Sequence, residues 1–340
     1  MIHTQQSYQL FHSLLEQQHI HIHYQPVVAL QTGDIFGYEA LTRFPDNPYF
    51  RHPGELFTFA SEHGKLFELE KVTRELAIQS VFHKLTNNEK LWLNLSPDVM
   101  YDRSFTTGYT HSLLEKSGIK QNQIVFEITE RSAIQDFDSF KRVLKHYRQQ
   151  GFLIAIDDAG AGYSSLEAIT ELQPDYIKID RSLIRNIDQS STRQYMLEAL
   201  MQLSSKMGAG VIAEGIETKE ELQCVIQNGV PYAQGYFIAR PDYPIPSIRD
   251  EGLKTIQQFD RSNDTRMIIT SSTTFYDVIS QVEAFVGQVD NTVILLENGS
   301  YIPFKTIIQF VCYTQLHETF TLQDKVLDKL QRYCAIHQTK

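Results

Sequence analysis

The sequence predicts an α/β protein: a closed barrel of eight strands alternating with helices, followed by a small α+β unit. Three observations carry this. Short, near-continuous apolar runs recur between amphipathic stretches, the pattern of parallel strands covered on both faces. About eight such repeats fit into roughly 230 residues, which suits a (β/α)8 barrel better than an open doubly wound sheet. After Pro241, Pro244 and Pro246 the rhythm changes and a shorter unit begins.

The first strand is expected over 20–30 (IHIHYQPVVAL) and the second over 34–44 (DIFGYEALTRF). The turn LQTGDI between them leaves no room for a crossover helix, so the two pair antiparallel. Residues 67–85 put Leu69, Val72, Leu76, Ile78, Val81, Phe82 and Leu85 mainly on one helical face. Further strands are expected at 91–96, 123–129, 152–158, 176–180, 210–216 and 233–239. Helices are expected at 138–150, 164–172, 192–207 and 218–229, the last closing with Gly229 near a C-cap position. The barrel is assigned to residues 1–250 and the small unit to 251–340, with DRSNDT (260–265) as a linker. The small unit reads as strand RMIIT, helix TFYDVISQVEAFVG, strand NTVILLENG with an Asn-Gly turn, strand YIPF, then helices.

Composition limits the function classes. The chain has 340 residues, is 42% hydrophobic and carries a formal charge of −10. A protein this acidic offers no general footprint for DNA or for an anionic membrane, so an anionic substrate needs local cations or bound metal. Three cysteines, far apart and odd in number, indicate neither a disulfide framework nor a thiolate zinc site. The N-terminus lacks a basic start followed by a long apolar run, and no later stretch approaches a bilayer span; a soluble cytoplasmic protein is expected.

FLIAIDDAGAG (152–162) ends a buried strand in two adjacent aspartates, which repel unless a proton or cation lies between them. They are not isolated. Polar residues fall at the expected carboxyl ends of successive strands: Glu39, Asn94, Glu127, Asp157 with Asp158, Lys178 with Asp180, Glu214 with Glu217, and Gln234. In a barrel of this type those ends surround the active site. A lone acid there is explained by capping of the next helix; a series at one end is not. Oxygen donors without Cys or His suit magnesium or manganese. Paired aspartates let one carboxylate bridge two cations about 3.5–4 Å apart, a device that polarises a phosphoryl group and activates water.

YQPVV (24–28), GYEALTRF (37–44), NLSP (94–97), FEITE (126–130), IDDAGAGYSSL (156–166), DYIKIDRSLI (175–184), VIAEGIET (211–218) and AQGYFIARP (233–241) form an ordered set. From about Tyr24 to Pro241 it resembles the EAL family of cyclic di-GMP phosphodiesterases. The resemblance implies a modified, TIM-like (β/α)8 barrel with an antiparallel second strand, and metal-dependent hydrolysis of cyclic di-GMP to linear 5'-pGpG by a homodimer. It implies two Mg2+ or Mn2+ ions, one held by Glu39, Asn94, Glu127 and Asp157, the other by Asp157, Asp158 and Glu214. It further implies Lys178 beside the attacking water as base or orienting group, and Arg43 on the substrate phosphate. Glu130 would brace the loop after Asp158, and Gln234 and Glu217 would complete the pocket. Ala159 stands where the family has an aromatic after the aspartate pair, so the alternative is a weakly active or inactive cyclic di-GMP receptor. A different metal-dependent barrel enzyme is a third class, disfavoured by the motif order.

Two other signals are discounted. GAGYSS lacks the third small residue of a dinucleotide loop and follows two aspartates that would repel a pyrophosphate. His19, His21 and His23 alternate onto one strand face, but at the start of the first strand they are expected away from the site, as a polar face.

Overall fold

A computed structural model of the chain describes residues 2–16, 19–106, 108–129, 137–160, 165–262, 268–284, 293–296, 301–317, 321 and 324–337. The chain divides into two compact units, Met1–Gln257 and Gln258–Lys340.

The first unit is a closed barrel of eight strands in sequence order: β1 (His21–Ala29), β2 (Ile35–Arg43), β3 (Lys90–Asn94), β4 (Ile124–Thr129), β5 (Leu153–Ala159), β6 (Tyr176–Ile179), β7 (Gly210–Ala213) and β8 (Tyr232–Ala233). The antiparallel pairing of β1 with β2 is as expected. The strand that opposes the rest, however, is the first and not the second: β1 is also antiparallel to β8, whereas β2 is parallel to β3. The short β1–β2 turn dictates only that the two run oppositely; pairing with β8 and β3 decides which is reversed. The start of β1 therefore lies at the end where the other seven strands finish. β8 is also shorter than the apolar run 233–239, because from Gln234 the backbone turns to hydrogen-bond the loop after β7.

Alternation along the strands sorts side chains to two faces. Inward, Val27, Trp92, Val125, Ala155 and Ile212 form a buried cluster flanked by Phe36, Leu153, Tyr176 and Tyr232. Phe36 and Tyr232 stack with ring centroids 3.9 Å apart. Gly37 makes this filling possible: a Cβ there would lie 2.2 Å from the Lys90 carbonyl oxygen and 2.4 Å from the Trp92 ring. Outward, Leu93, Phe126, Ile154, Ile156 and Ile177 join the core under the helices. Those helices include Leu66–Val81, Phe137–Gln149, Ser165–Leu172, Ser191–Met207 and Lys219–Gln227.

Two helices go beyond the expected elements. Ile2–Glu16 buries Phe11, Leu14 and Leu15, which share one face at helical spacing. Asp250–Ser262 takes in the first half of the expected linker, and its Ile256 belongs to a barrel core cluster. In the second unit β10 (Val293–Leu296) lies between β9 (Ile268–Ile269), parallel to it, and β11 (Tyr301–Pro303), antiparallel to it. Helices Phe275–Ala284, Phe304–His317 and Leu327–His337 complete the expected order, and Phe275, Val278, Ile307, Phe310 and Leu330 are buried. The Asn298–Gly299 turn lies outside the described residues. No helix among the described residues is long and apolar enough to cross a membrane.

Helix Leu66–Val81 also buries an ion pair, Glu70 with Arg74 at 3.0 Å. Burial pushes the Glu70 carboxyl up to about 7, against the pull of Arg74 and the Ser96 amide, with Asp102 adding to the rise. The folded state thus holds this proton at pH values where an unfolded chain, near the ordinary 4.5, has released it. The contribution is fully present below 4.5 and is lost as pH rises to about 7.

Gly37→Ala should lower the unfolding free energy by about 2 kcal/mol or more, since neither a backbone carbonyl nor the barrel's tryptophan can give way cheaply; denaturant titration of the full chain showing no loss would contradict this. The stability of the parent relative to Glu70→Gln should fall by roughly 2–3 kcal/mol between pH 4.5 and 7. A difference that stays constant over this range would show that Glu70 does not titrate there.

Candidate active site

Each strand places its polar residue by the same alternation that fills the barrel. Asn94 lies two residues beyond Trp92, Glu127 two beyond Val125, Asp157 two beyond Ala155 and Glu214 two beyond Ile212, so an acidic tier stands above the apolar one. Asn94 and Glu127 are also register partners on β3 and β4. Glu39 does not end its strand, as the sequence suggests; it sits mid-way along β2, opposite Gln25 of β1 and Trp92 of β3. β2 continues to Arg43, on the same strand face as Glu39 and about 13 Å further toward the mouth.

Lys178 rises from β6 into the middle of this tier. Its ammonium lies 2.6 Å from Glu214, 2.7 Å from Glu127, 3.2 Å from Asp157 and 3.4 Å from Glu39, and the side chain is 1% exposed. Burial alone would lower the lysine pKa; Asp157, Glu127, Glu214 and Glu39 together outweigh it and hold the group well above the ordinary lysine range. The acids respond in the opposite sense. Burial, with Glu39 nearby, raises Glu127 well above the usual carboxylate range, and burial, with Asp157 and Glu39, does the same to Glu214; Lys178 opposes both shifts. One ammonium cannot neutralise four carboxylates, so the tier favours extra positive charge, as protons or as cations.

Asp158 joins by a local irregularity. Successive residues of a regular strand point to opposite faces, yet one oxygen each from Asp157, Asp158 and Glu214 lie within 4.8 Å of one another. The β5–β6 register shifts between Ile156 and Ala159, and Asp158 has φ +58°, an unusual conformation for a side-chain-bearing residue. That bend turns the second aspartate toward the site. Ala159, next in line, is fully buried, pairs with Ile179 and accepts the Asp180 amide at 3.0 Å.

Gln234 follows β8 and donates to Glu39 Oε2 and, at 3.0 Å, to Gln25 Oε1. Gln25 in turn donates to the Ala239 carbonyl at 3.0 Å. Gly235 lets this segment lie directly on the loop after β7, for a Cβ there would fall 2.2 Å from the Ile216 backbone. The buried Glu221 accepts the amides of Glu217 at 2.8 Å, Thr218 at 3.1 Å and Asn186 at 2.9 Å, fixing that loop. Gln25, Glu70 and Glu221 are not among the site residues that the sequence leads one to expect. Gln25 stands in the YQPVV motif, and the spacing of Thr218 and Glu221 is that of a capping box.

The structure thus gathers Glu39, Glu127, Asp157 and Glu214 around Lys178, adds Asp158, and bonds Gln234 to Glu39. Arg43 and Glu217 stand apart from that centre. Arg43 is half-buried and donates to the Thr42 carbonyl at 2.8 Å, while the exposed Glu217 pairs with Arg181. Glu130 lies outside the described residues. The histidine face needs correction. Because β1 is reversed, its first residues share the mouth: His21 pairs in register with Arg43, and the rings of His21 and His23 are 5.3 Å apart. Burial, then Arg43 and His21, lower the His23 pKa against the pull of the Pro241 carbonyl and Asp242.

Comparison with known proteins points the same way as this geometry. The EAL domain model matches residues 8–241. The probable cyclic di-GMP phosphodiesterase PdeG of Escherichia coli K12 is 32% identical over 225 residues, 64% of this chain and 44% of that protein. PdeB of the same organism, another probable cyclic di-GMP phosphodiesterase, is 30% identical over 66% of this chain and 43% of its own length, so the chain spans under half of either relative. Among solved structures, BlrP1 of Klebsiella pneumoniae in a calcium/cyclic di-GMP complex matches with TM-score 0.62 and 31% identity, over 68% of this chain and 58% of that one. A standalone versatile EAL protein of Vibrio cholerae O395, in its cyclic di-GMP bound form, matches with TM-score 0.61 and 30% identity, over 68% of this chain and 97% of that one. The chain belongs to the EAL domain family.

Proposed function

We propose that the barrel hydrolyses cyclic di-GMP to linear 5'-pGpG with two magnesium or manganese ions. The observation that carries this reading is the acidic tier: five carboxylates and one ammonium converge above an otherwise apolar barrel interior. Fully ionised, they leave four negative charges uncompensated, which is the charge two divalent cations carry. The donors are all hard oxygens, and Glu127 Oε2 and Gln234 Oε1 are buried without a hydrogen-bond partner among the described residues. Residues of this kind fit magnesium or manganese.

Glu39, Asn94, Glu127 and Asp157 would hold one ion, and Asp157, Asp158 and Glu214 the other. Bound there, such ions polarise a phosphodiester and lower the pKa of a water. The chain's own groups do the positioning. Gln234, held by Gln25, fixes the Glu39 carboxylate. Lys178, surrounded by acids, keeps its proton, so we assign it the orienting role and not that of base. Arg43, further up the same strand face as Glu39, suits a substrate phosphate, and Glu217 with Arg181 borders the mouth. Attack of water on phosphorus forms one P–O bond and breaks the bond to a ribose 3'-oxygen, opening the ring to a 5'-phosphate and a 3'-hydroxyl.

We further propose that the protein acts as a cytoplasmic homodimer and that residues 251–340 carry regulatory input. The receptor alternative rests on Ala159. The intact pairing of Ala159 with β6 leaves the strand end in place and favours the enzyme. The purified protein should convert cyclic di-GMP to pGpG with manganese, the product being identified by chromatography. Tight binding without turnover would select the receptor, and neither binding nor turnover another barrel chemistry.

Asp158→Asn keeps size and one oxygen but removes a charge. It should still bind cyclic di-GMP while cleaving it at least about a hundredfold more slowly, a loss of roughly 3 kcal/mol. Affinity and turnover belong on one preparation in saturating manganese; parent-like turnover would reduce Asp158 to a bent strand end.

A further inference from the structure

The buried pair Glu70–Arg74 lies outside the acidic tier but touches the segment that delivers one of its members. β3 ends at Asn94, where its ladder with β4 runs out. The Leu95 amide donates to the Glu127 carbonyl at 2.9 Å. The Ser96 amide donates to Glu70 Oε1 at 2.8 Å. Both amides after Asn94 are thus pinned, one to the strand of Glu127 and the other to Glu70. Arg74 holds the second Glu70 oxygen at 3.0 Å, donates to Thr110 Oγ1 at 2.9 Å, and lies 5.2 Å from the ring of Phe126, the neighbour of Glu127. Glu70, Arg74 and Asn94 line one cavity of about 20 Å³, room for a single water.

Stability does not explain such a pair. Removing two charges from water cancels much of their attraction, and apolar side chains of similar volume hold a core as well or better. The geometry points to a different role: we propose that Glu70 is a positioning residue for Asn94. Its carboxyl group clamps the Ser96 amide and so fixes the peptide that aims Asn94 at the cation site. The inference rests on the reading of that site given above. Arg74 is the countercharge that keeps Glu70 in place.

The test uses the full chain and manganese alone, titrated by calorimetry without substrate, with thermal unfolding recorded in parallel. Glu70→Leu combined with Arg74→Met replaces the pair by apolar groups of similar volume. It should unfold near the parent's temperature yet bind manganese about tenfold more weakly. Glu70→Gln combined with Arg74→Met keeps an oxygen for the Ser96 amide and should stay within about threefold of the parent. Should the Leu/Met variant fail to fold, Ser96→Pro removes the same hydrogen bond from the donor side, at a φ of −83° close to what proline adopts, and should show the same loss. A folded Leu/Met or Ser96→Pro variant that binds manganese like the parent would overturn the inference and leave the site reading intact. So would a Gln/Met variant as weak as the Leu/Met variant. A parent protein that takes up no manganese would overturn both together.

Discussion

The ammonium of Lys178 sits within 3.4 Å of oxygens of Glu39, Glu127, Asp157 and Glu214, and the acidic end of the barrel depends on that contact. Carboxylates on neighbouring inward positions repel, and beneath them lies an apolar floor of Val27, Trp92, Val125, Ala155 and Ile212 that offers no compensation. One buried cation lets the tier exist; it does not satisfy it. Burial, together with the neighbouring acids, raises Glu127 and Glu214 against the pull of Lys178. On the function proposed above, that excess negative charge is met by divalent cations, and through them by an anionic substrate that a chain of net charge −10 would otherwise repel.

The supports around the tier share a logic. Where the chain leaves a strand and its ladder hydrogen bonds stop, a buried polar group takes over. Gln25 holds Gln234, Glu221 holds the loop carrying Glu217, and Glu70 holds the peptide after Asn94. Asp158 reaches the site through a backbone conformation that an L-residue adopts only under constraint, within a strand otherwise paired on both sides. Close backbone packing at Gly235 and the tight fit of Gly37 against Trp92 fix the walls between which these groups stand.

The strand pattern was legible because apolar runs between helices report burial on both faces, and the site was legible because its acids recur at one end of those runs. What escaped has physical reasons. A hairpin turn says that two strands are opposed without saying which is reversed, so the sequence alone does not place His21 and His23 at the mouth. Glu39 lies mid-strand because β2 runs on to Arg43, and a run of alternating residues does not reveal where the barrel's mouth cuts it. Beyond Ala233, the last apolar run owes its hydrophobicity to loop packing and not to sheet, as the burial of Ile238 shows. Gln25, Glu70 and Glu221 look like ordinary polar residues in a motif, a helix and a cap; their importance comes from contacts across many residues, such as Gln25 with Gln234.

Lys178 supplies charge that in its absence must come from metal. The most direct test is the thermal unfolding of Lys178→Met beside the parent at pH 8, first in a chelator and then in excess manganese. Without the ammonium, the chelated variant should lose about 3 kcal/mol or more of stability, as when one partner of a buried ion pair is removed. Manganese should then raise its melting temperature by more than it raises the parent's. Equal melting temperatures in the chelator and equal shifts with manganese would show that the Lys178 ammonium does not hold the tier together.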